Sequence, residues 1–147
     1  MTKYVVGFVF NNYEEAVVLM LKARPDWQKG KLNGIGGHVE ENESPMKAMI
    51  REWEEETSTN LTEFDWTFFA LVIGNEFEVY FFRANYIQID ELESYSAGEE
   101  ITIVDPNNLP DNVVSNLQWL IPMAKVRHQH DWPYYIMEKH IDLKAII

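Results

Sequence analysis

The stretch that most constrains this chain is residues 36–59, GGHVEENESPMKAMIREWEEETST. Within it, residues 44–57 predict a helix. Ser44 is a good N-cap, because its hydroxyl can accept from a first-turn N–H, and Pro45 suits the first helical position, where a missing N–H costs nothing. Met46, Met49 or Ile50, and Trp53 recur at three- and four-residue steps and give the helix an apolar face. Glu52, Glu55 and Glu56 stand at i, i+3 and i+4, so their carboxylates leave from one side. Like charges that close destabilise a helix unless something offsets them, and the obvious offset is a divalent cation. Magnesium and manganese are hard ions that take oxygen ligands and keep several waters. The ordinary account of a Glu-rich helix in an acidic protein is a solvated face, and the two accounts compete.

The remainder of the chain bounds what this helix belongs to. A length of 147 residues suits a single domain, 1–147, with a real core; 46% apolar and 14% aromatic content argues against disorder. No cysteine is present, so disulfide frameworks and thiol chemistry are excluded. The apolar run 4–10 is short and ends at Asn11-Asn12, unlike a signal peptide, and no apolar stretch approaches the length of a membrane span. The expectation is a soluble cytoplasmic protein with no membrane partner. A net charge of −12 weighs against a nucleic-acid polymer as partner, because such binders need a basic surface to displace counterions. A small phosphorylated ligand is compatible if metal ions bridge carboxylates to phosphates and cancel charge locally. Acidity also simply keeps a protein soluble.

In chain order, residues 3–10 (KYVVGFVF) are β-branched and aromatic and predict a largely buried strand. After the turn signal Asn11-Asn12, residues 15–22 predict a second strand, antiparallel to the first. Residues 27–31 (WQKGK) make a polar connection. Residues 32–39 hold Gly34, Gly36 and Gly37, a density that suggests close approach of backbone to a ligand or to another backbone. Beyond the helix, residues 64–73 and 77–84 read as strands joined at Gly74-Asn75, a hairpin signal. Residues 97–100 lead into a short strand, 101–104. Asp111 can cap a helix running to about residue 125, with Val113, Val114, Leu117, Leu120, Ile121 and Ala124 inward, and with Pro122 kinking it or ending it early. The tail, 128–147, is aromatic and weakly patterned. The order of strands, helix, strands, helix predicts an α+β or α/β sandwich with a mixed sheet.

The helix segment resembles the signature of the Nudix hydrolase family, G-x5-E-x7-R-E-U-x-E-E-x-G-U, where U is bulky and aliphatic. Gly37, Glu43, Arg51, Glu52, Glu55 and Glu56 match it; Trp53 stands at the first U, Ser58 replaces the last Gly, and Thr59 stands at the last U. The resemblance implies a mixed sheet between helices. It also implies a metal-dependent pyrophosphohydrolase of a nucleoside diphosphate linked to another group. Glu52, Glu55 and Glu56 would ligate Mg2+ or Mn2+, with the backbone carbonyl of Gly36 as a further ligand, and Glu55 or Glu56 would help deprotonate the attacking water. Glu43 and Arg51 carry over as a supporting pair that orients loop and helix. A further carboxylate often enters such sites from a distant loop, and Glu99 and Glu100 are the candidates. His38 is left out of the site.

Residues 27–40 are similar to the MutT-like subset that cleans modified purine nucleoside triphosphates, in which an Asn-Gly-x-Gly-Gly run opens the box. This implies Asn33 as a reader of a base edge, Gly37 against the substrate, and an aromatic stacking partner. Trp27, Phe77, Tyr80 and Trp119 are available, with Trp119 the first choice. The alternatives are a pyrophosphatase of ADP-ribose, a dinucleotide or a nucleotide sugar, and a non-catalytic nucleotide-sensing module on the same fold. Homodimers are frequent in the family, so a homodimer is a possible partner state.

Overall fold

The computed structural model describes residues 1–95, 98–126 and 133–137. Its centre is strand β1 (Thr2–Phe10), buried without interruption from Val5 to Phe10. Val6, Phe8 and Phe10 join one apolar cluster with Leu117, Leu120 and Ile121 of helix α2 (Leu117–Val126). Val5 and Val9 join another with Ala48, Met49 and Trp53 of helix α1 (Pro45–Thr57). Alternate side chains of one strand therefore feed two cores, and a helix covers each face of the sheet. That is why the first strand shows no polar alternation.

The main path across the sheet runs β3 (Leu32–Asn33), β2 (Val17–Leu21), β1, β6 (Phe77–Asn85), β5 (Thr67–Ile73), β8 (Tyr134–Met137); β4 (Ile35–His38) pairs with β1 and β7 (Glu100–Val104) with β2. β1 and β6 run parallel from Thr2↔Phe77 to Phe10↔Asn85, while β1–β2 and β5–β6 are antiparallel. The sheet is mixed, as expected, and the architecture is α+β. The β5–β6 hairpin turns at Gly74, where a side chain would stand inside the Phe77 ring.

One edge of β1 is shared. Val9 pairs with Val18 of β2, and continuing that register would set Leu21 opposite Val6. Val6 pairs instead with Gly36 of β4. β2 thus leaves the plane of β1 while β4 takes its place, and a cavity of about 510 Å³ opens over Val5 and Val6, between the end of β2 and β4.

Three expectations are corrected. The last helix does not start at Asp111. Leu32 N–H donates to Asn112 O and Val114 N–H to Leu32 O, so the backbone of 112–114 is drawn to β3; the helix begins at Leu117, with Val113 and Val114 still buried. Of the two outcomes expected at Pro122, early ending does not occur: the helix runs on to Val126 with Pro122 exposed inside it. Phe64 is not in a strand: Thr62 and Asp65 close a turn through Thr62 N–H to Asp65 Oδ2 at 2.7 Å, leaving Phe64 91% exposed. The weakly patterned tail falls mostly outside the described residues, but residues 134–137 form β8, parallel to β5, which the sequence did not signal.

Candidate active site

The site is built where α1 meets β4. Ser44 Oγ accepts from Lys47 N–H at 3.2 Å, and Pro45 opens the helix, so the N-terminus is as the sequence predicts. At the other end Ser58 takes the left-handed conformation, φ 55°, and donates its N–H to Glu54 O at 2.8 Å. The replacement of Gly leaves the helix exit in place. The two other departures from the signature compensate each other: Trp53, fully buried, donates Nε1–H to Thr59 Oγ1 at 2.9 Å. Thr57 Oγ1 donates to Trp53 O and lies 2.9 Å from Thr59 Oγ1, which completes the network.

Arg51 is the hub of the polar face. Its Nε and Nη2 hold both oxygens of Glu43 at 2.8 and 2.9 Å, the bidentate fork–carboxylate geometry. Nη2 also donates to His38 O at 2.9 Å, which ties β4 to the helix. Nη1 donates to Glu52 Oε1 at 2.9 Å and reaches Glu55 Oε2 at 3.4 Å. Glu43 Oε1 in turn accepts from Glu40 N–H at 3.0 Å, so the loop before the helix is fixed at both ends. The Arg51 hydrogen bonds hold the Glu43 carboxyl below its ordinary range. Burial pushes the Glu52 carboxyl up, against the pull of Arg51, and Glu55 and Glu56 add to that rise. The Arg51 guanidinium is correspondingly raised, chiefly by Glu43.

The glycines have separate physical reasons. A side chain on Gly37 would overlap the carboxylate of Glu52. A side chain on Gly36 would overlap the carbonyl of Val5 in the neighbouring strand. Strand packing is therefore sufficient to keep Gly36 bare, without any ligand role for its own carbonyl.

Among the described residues no three acidic or imidazole side chains converge as they stand on a point where an ion could sit. Glu52 and Glu55 both turn to Arg51 instead. The donor set nevertheless fits a hard divalent cation by its chemistry: carboxylates within one turn of helix, the nearest resting against bare backbone at Gly37. Glu99 is buried and is taken by Lys22 Nζ at 3.0 Å and Ala23 N–H at 3.1 Å. Glu100 is exposed on β7 opposite Leu21. Among the described residues no hydrogen bond or ion pair joins either of them to the α1 glutamates.

The cavity reaches this cluster at Gly36, Gly37 and His38 and extends to Asn33, Gln28 and Trp27 at its other end. Arg24 brings positive charge to its wall; Lys22, also on the wall, has its charge met by Glu99. Asn33 is buried there and lines the cavity. Trp119 does not line the cavity; it sits on α2, 37% exposed. Phe77 is core, and Tyr80 donates its hydroxyl to Glu78 at 2.7 Å. Of the aromatics named from sequence, Trp27 is the one on the cavity wall. Lys22, Arg24, Tyr4 and Gln28 were not singled out; the polar run 27–31 was the only hint, and nothing local says that it folds back over β1.

The family model of the NUDIX domain matches residues 1–136. The chain belongs to the Nudix family. As a Nudix hydrolase it acts on pyrophosphate bonds in small nucleotide compounds, and divalent metal ions are general in the family. Solved structures agree on the fold. A MutT from work on Aliivibrio salmonicida and Vibrio cholerae is 22% identical, with TM-score 0.65 over 84% of this chain and 97% of that one. A Nudix hydrolase of Nitrosomonas europaea is 17% identical, TM-score 0.69, over 94% and 78%. A MutT Nudix hydrolase of Burkholderia pseudomallei is 15% identical, TM-score 0.69, over 83% and 96%. No curated protein matches the chain. Among the described residues no helix of this Nudix protein is long and apolar enough to cross a membrane.

Proposed function

We propose that residues 1–147 act as one metal-dependent pyrophosphohydrolase domain that cleaves a nucleoside triphosphate, with a modified purine base, to the monophosphate and pyrophosphate. The observation that carries this reading is the continuity of one cavity from the Gly37–Glu52 contact to the buried Asn33. A polyphosphate can lie at the carboxylate end while the nucleoside reaches the amide end.

In this reading Glu52, Glu55, Glu56 and the Gly36 carbonyl hold Mg2+ or Mn2+, which supplies charge neutralisation and acidifies water when bound. The side chains do the rest. Arg51 keeps Glu43 and Glu52 in fixed relation, so the helix presents its carboxylates at a set distance from β4. Glu55 or Glu56 takes the proton of the attacking water. The water oxygen bonds to one phosphorus of the anhydride, the P–O bond from that phosphorus to the bridging oxygen breaks, and the other phosphoryl fragment leaves with the bridging oxygen and its electrons. Arg24 attracts the anionic chain, while Lys22 on the same wall is held by Glu99. Trp27, in place of Trp119, offers a ring face to the base.

The test is a hydrolysis screen with magnesium on canonical and oxidised nucleoside triphosphates, ADP-ribose and dinucleotides, run beside Glu55→Gln. Wild type should turn over the triphosphates, and Glu55→Gln should lose roughly 10³-fold in kcat, because a ligand or proton acceptor goes while the core stays. Chelator should abolish turnover, and magnesium should restore it. A loss under about tenfold, or turnover that persists in chelator, would overturn the assignment.

A further inference from the structure

The cavity end away from the glutamates carries a side chain with no assigned task, Gln28. It sits in a single 3-10 turn, Asp26–Gln28, and is only 5% exposed, yet it lines the cavity. A buried amide must use its hydrogen-bonding groups or lose their solvation. Its backbone is already committed: the N–H donates to Pro25 O at 2.9 Å and the carbonyl accepts from Lys31 N–H at 2.8 Å. Only the side chain faces inward with capacity to spare.

Its orientation follows from a chain of bonds that begins at a group with no choice. Gly34 N–H can only donate, so the Asn33 atom it meets at 2.8 Å is the carbonyl oxygen. Asn33 Nδ2 therefore points to Gln28, and the atom it meets at 3.2 Å must be Gln28 Oε1. That leaves the Gln28 NH2 group turned the other way. Among the described residues nothing accepts from it. A backbone amide two hydrogen bonds away has thus set the polarity of this end of the cavity, which offers donors to whatever enters.

Resting on the nucleotide reading above, we infer that Gln28 is a specificity-determining residue that selects nucleobases presenting a carbonyl oxygen over those presenting an exocyclic amino group. A keto edge accepts from the Gln28 N–H groups. An amino group at the same place would set donor against donor and leave both unpaired in a buried site. Asn33 and Gly37 are four residue steps apart, at most about 14 Å when extended, a span that can hold the nucleoside between the base reader and the carboxylates. Trp27, next in the turn, borders the same space.

Inosine and adenosine nucleotides differ at this edge and not in sugar or phosphate, so they are the probes. Calorimetric binding of inosine and adenosine monophosphates is measured on wild type, Gln28→Leu and Gln28→Glu, beside turnover of the two triphosphates by wild type. Wild type should favour inosine by about tenfold. Gln28→Leu should bring the two within about twofold, mainly by weakening inosine. Gln28→Glu retains the acceptor for Asn33 Nδ2 while replacing the donor, so it should turn the preference toward adenosine, and it stands in if the Leu variant fails to fold. A wild-type preference for adenosine, an unchanged ratio in the variants, or equal loss for both nucleotides would overturn the inference, and continued triphosphate turnover would leave the hydrolase reading intact. No binding and no turnover of either nucleotide by wild type would bring down both.

Discussion

Trp53 and Thr59 each depart from the family signature, and each alone would put a polar atom where the pattern wants an aliphatic one. The structure has them cancel: the indole N–H finds the threonine hydroxyl at 2.9 Å, so the bulky ring can fill the core without stranding its donor. Thr59→Val should therefore destabilise the protein by about 1 to 3 kcal/mol, although valine is the more typical residue there, because it leaves Trp53 Nε1–H without an acceptor. Thermal denaturation should register a drop of a few degrees, about 2–4 °C per kcal/mol for a chain of this size. An unchanged melting temperature would show that water replaces the hydroxyl at no cost. Ser58 is the opposite case, a departure with nothing to offset it. Its φ of 55° lies in the region that L-residues occupy at a penalty. Ser58→Gly should gain about 0.5–1 kcal/mol in the same melt, the relief of that penalty less the entropy of glycine. A loss of stability would mean that the serine side chain contributes something beyond its backbone.

At the level of elements, the seam between α1 and β4 is closed by one guanidinium. Arg51 reaches the loop through Glu43, the strand through His38 O, and its own helix through Glu52. The Glu43 carboxyl is held below its ordinary value of 4.5 by the Arg51 hydrogen bonds, so the pair stabilises the fold at pH values above that ordinary value. The contribution is lost as pH falls through the lower folded value, when Glu43 is protonated and the fork holds a neutral partner. Melting temperatures of wild type and Glu43→Gln should thus differ most at neutral pH and converge as pH drops below 4.5. A gap that does not vary with pH would mean that the charge of Glu43 does not matter and that its shape does.

For the whole molecule, acidity and function meet in one place. A net charge of −12 is carried by a chain whose α1 face sets Glu52 and Glu55 against a single arginine, with Glu52 raised by its burial. A divalent cation has more to offset there than a monovalent one. Magnesium chloride should raise the melting temperature beyond what sodium chloride does at equal ionic strength, and chelator should reverse the gain. In Glu52→Gln the excess over sodium should largely vanish. If it persists, the ion that stabilises the protein binds elsewhere.

What the sequence determined by itself was local. The helix of residues 45–57, its serine cap and proline start, the side from which its carboxylates leave, and the hairpin at Gly74 all follow from spacing and backbone chemistry within a few residues. The Nudix signature lies within such a window, which is why the family was legible before the fold. Tertiary structure decided what depends on partners distant in the chain. Residues 112–114 stay out of the last helix because Leu32 claims their backbone. Glu99, not Glu100, is buried, because Lys22 lies beside it. Gln28 and Asn33 share a bond only because the turn after β2 folds back over β1, and it is that packing, not the identity of either residue, that aims an amide into the cavity.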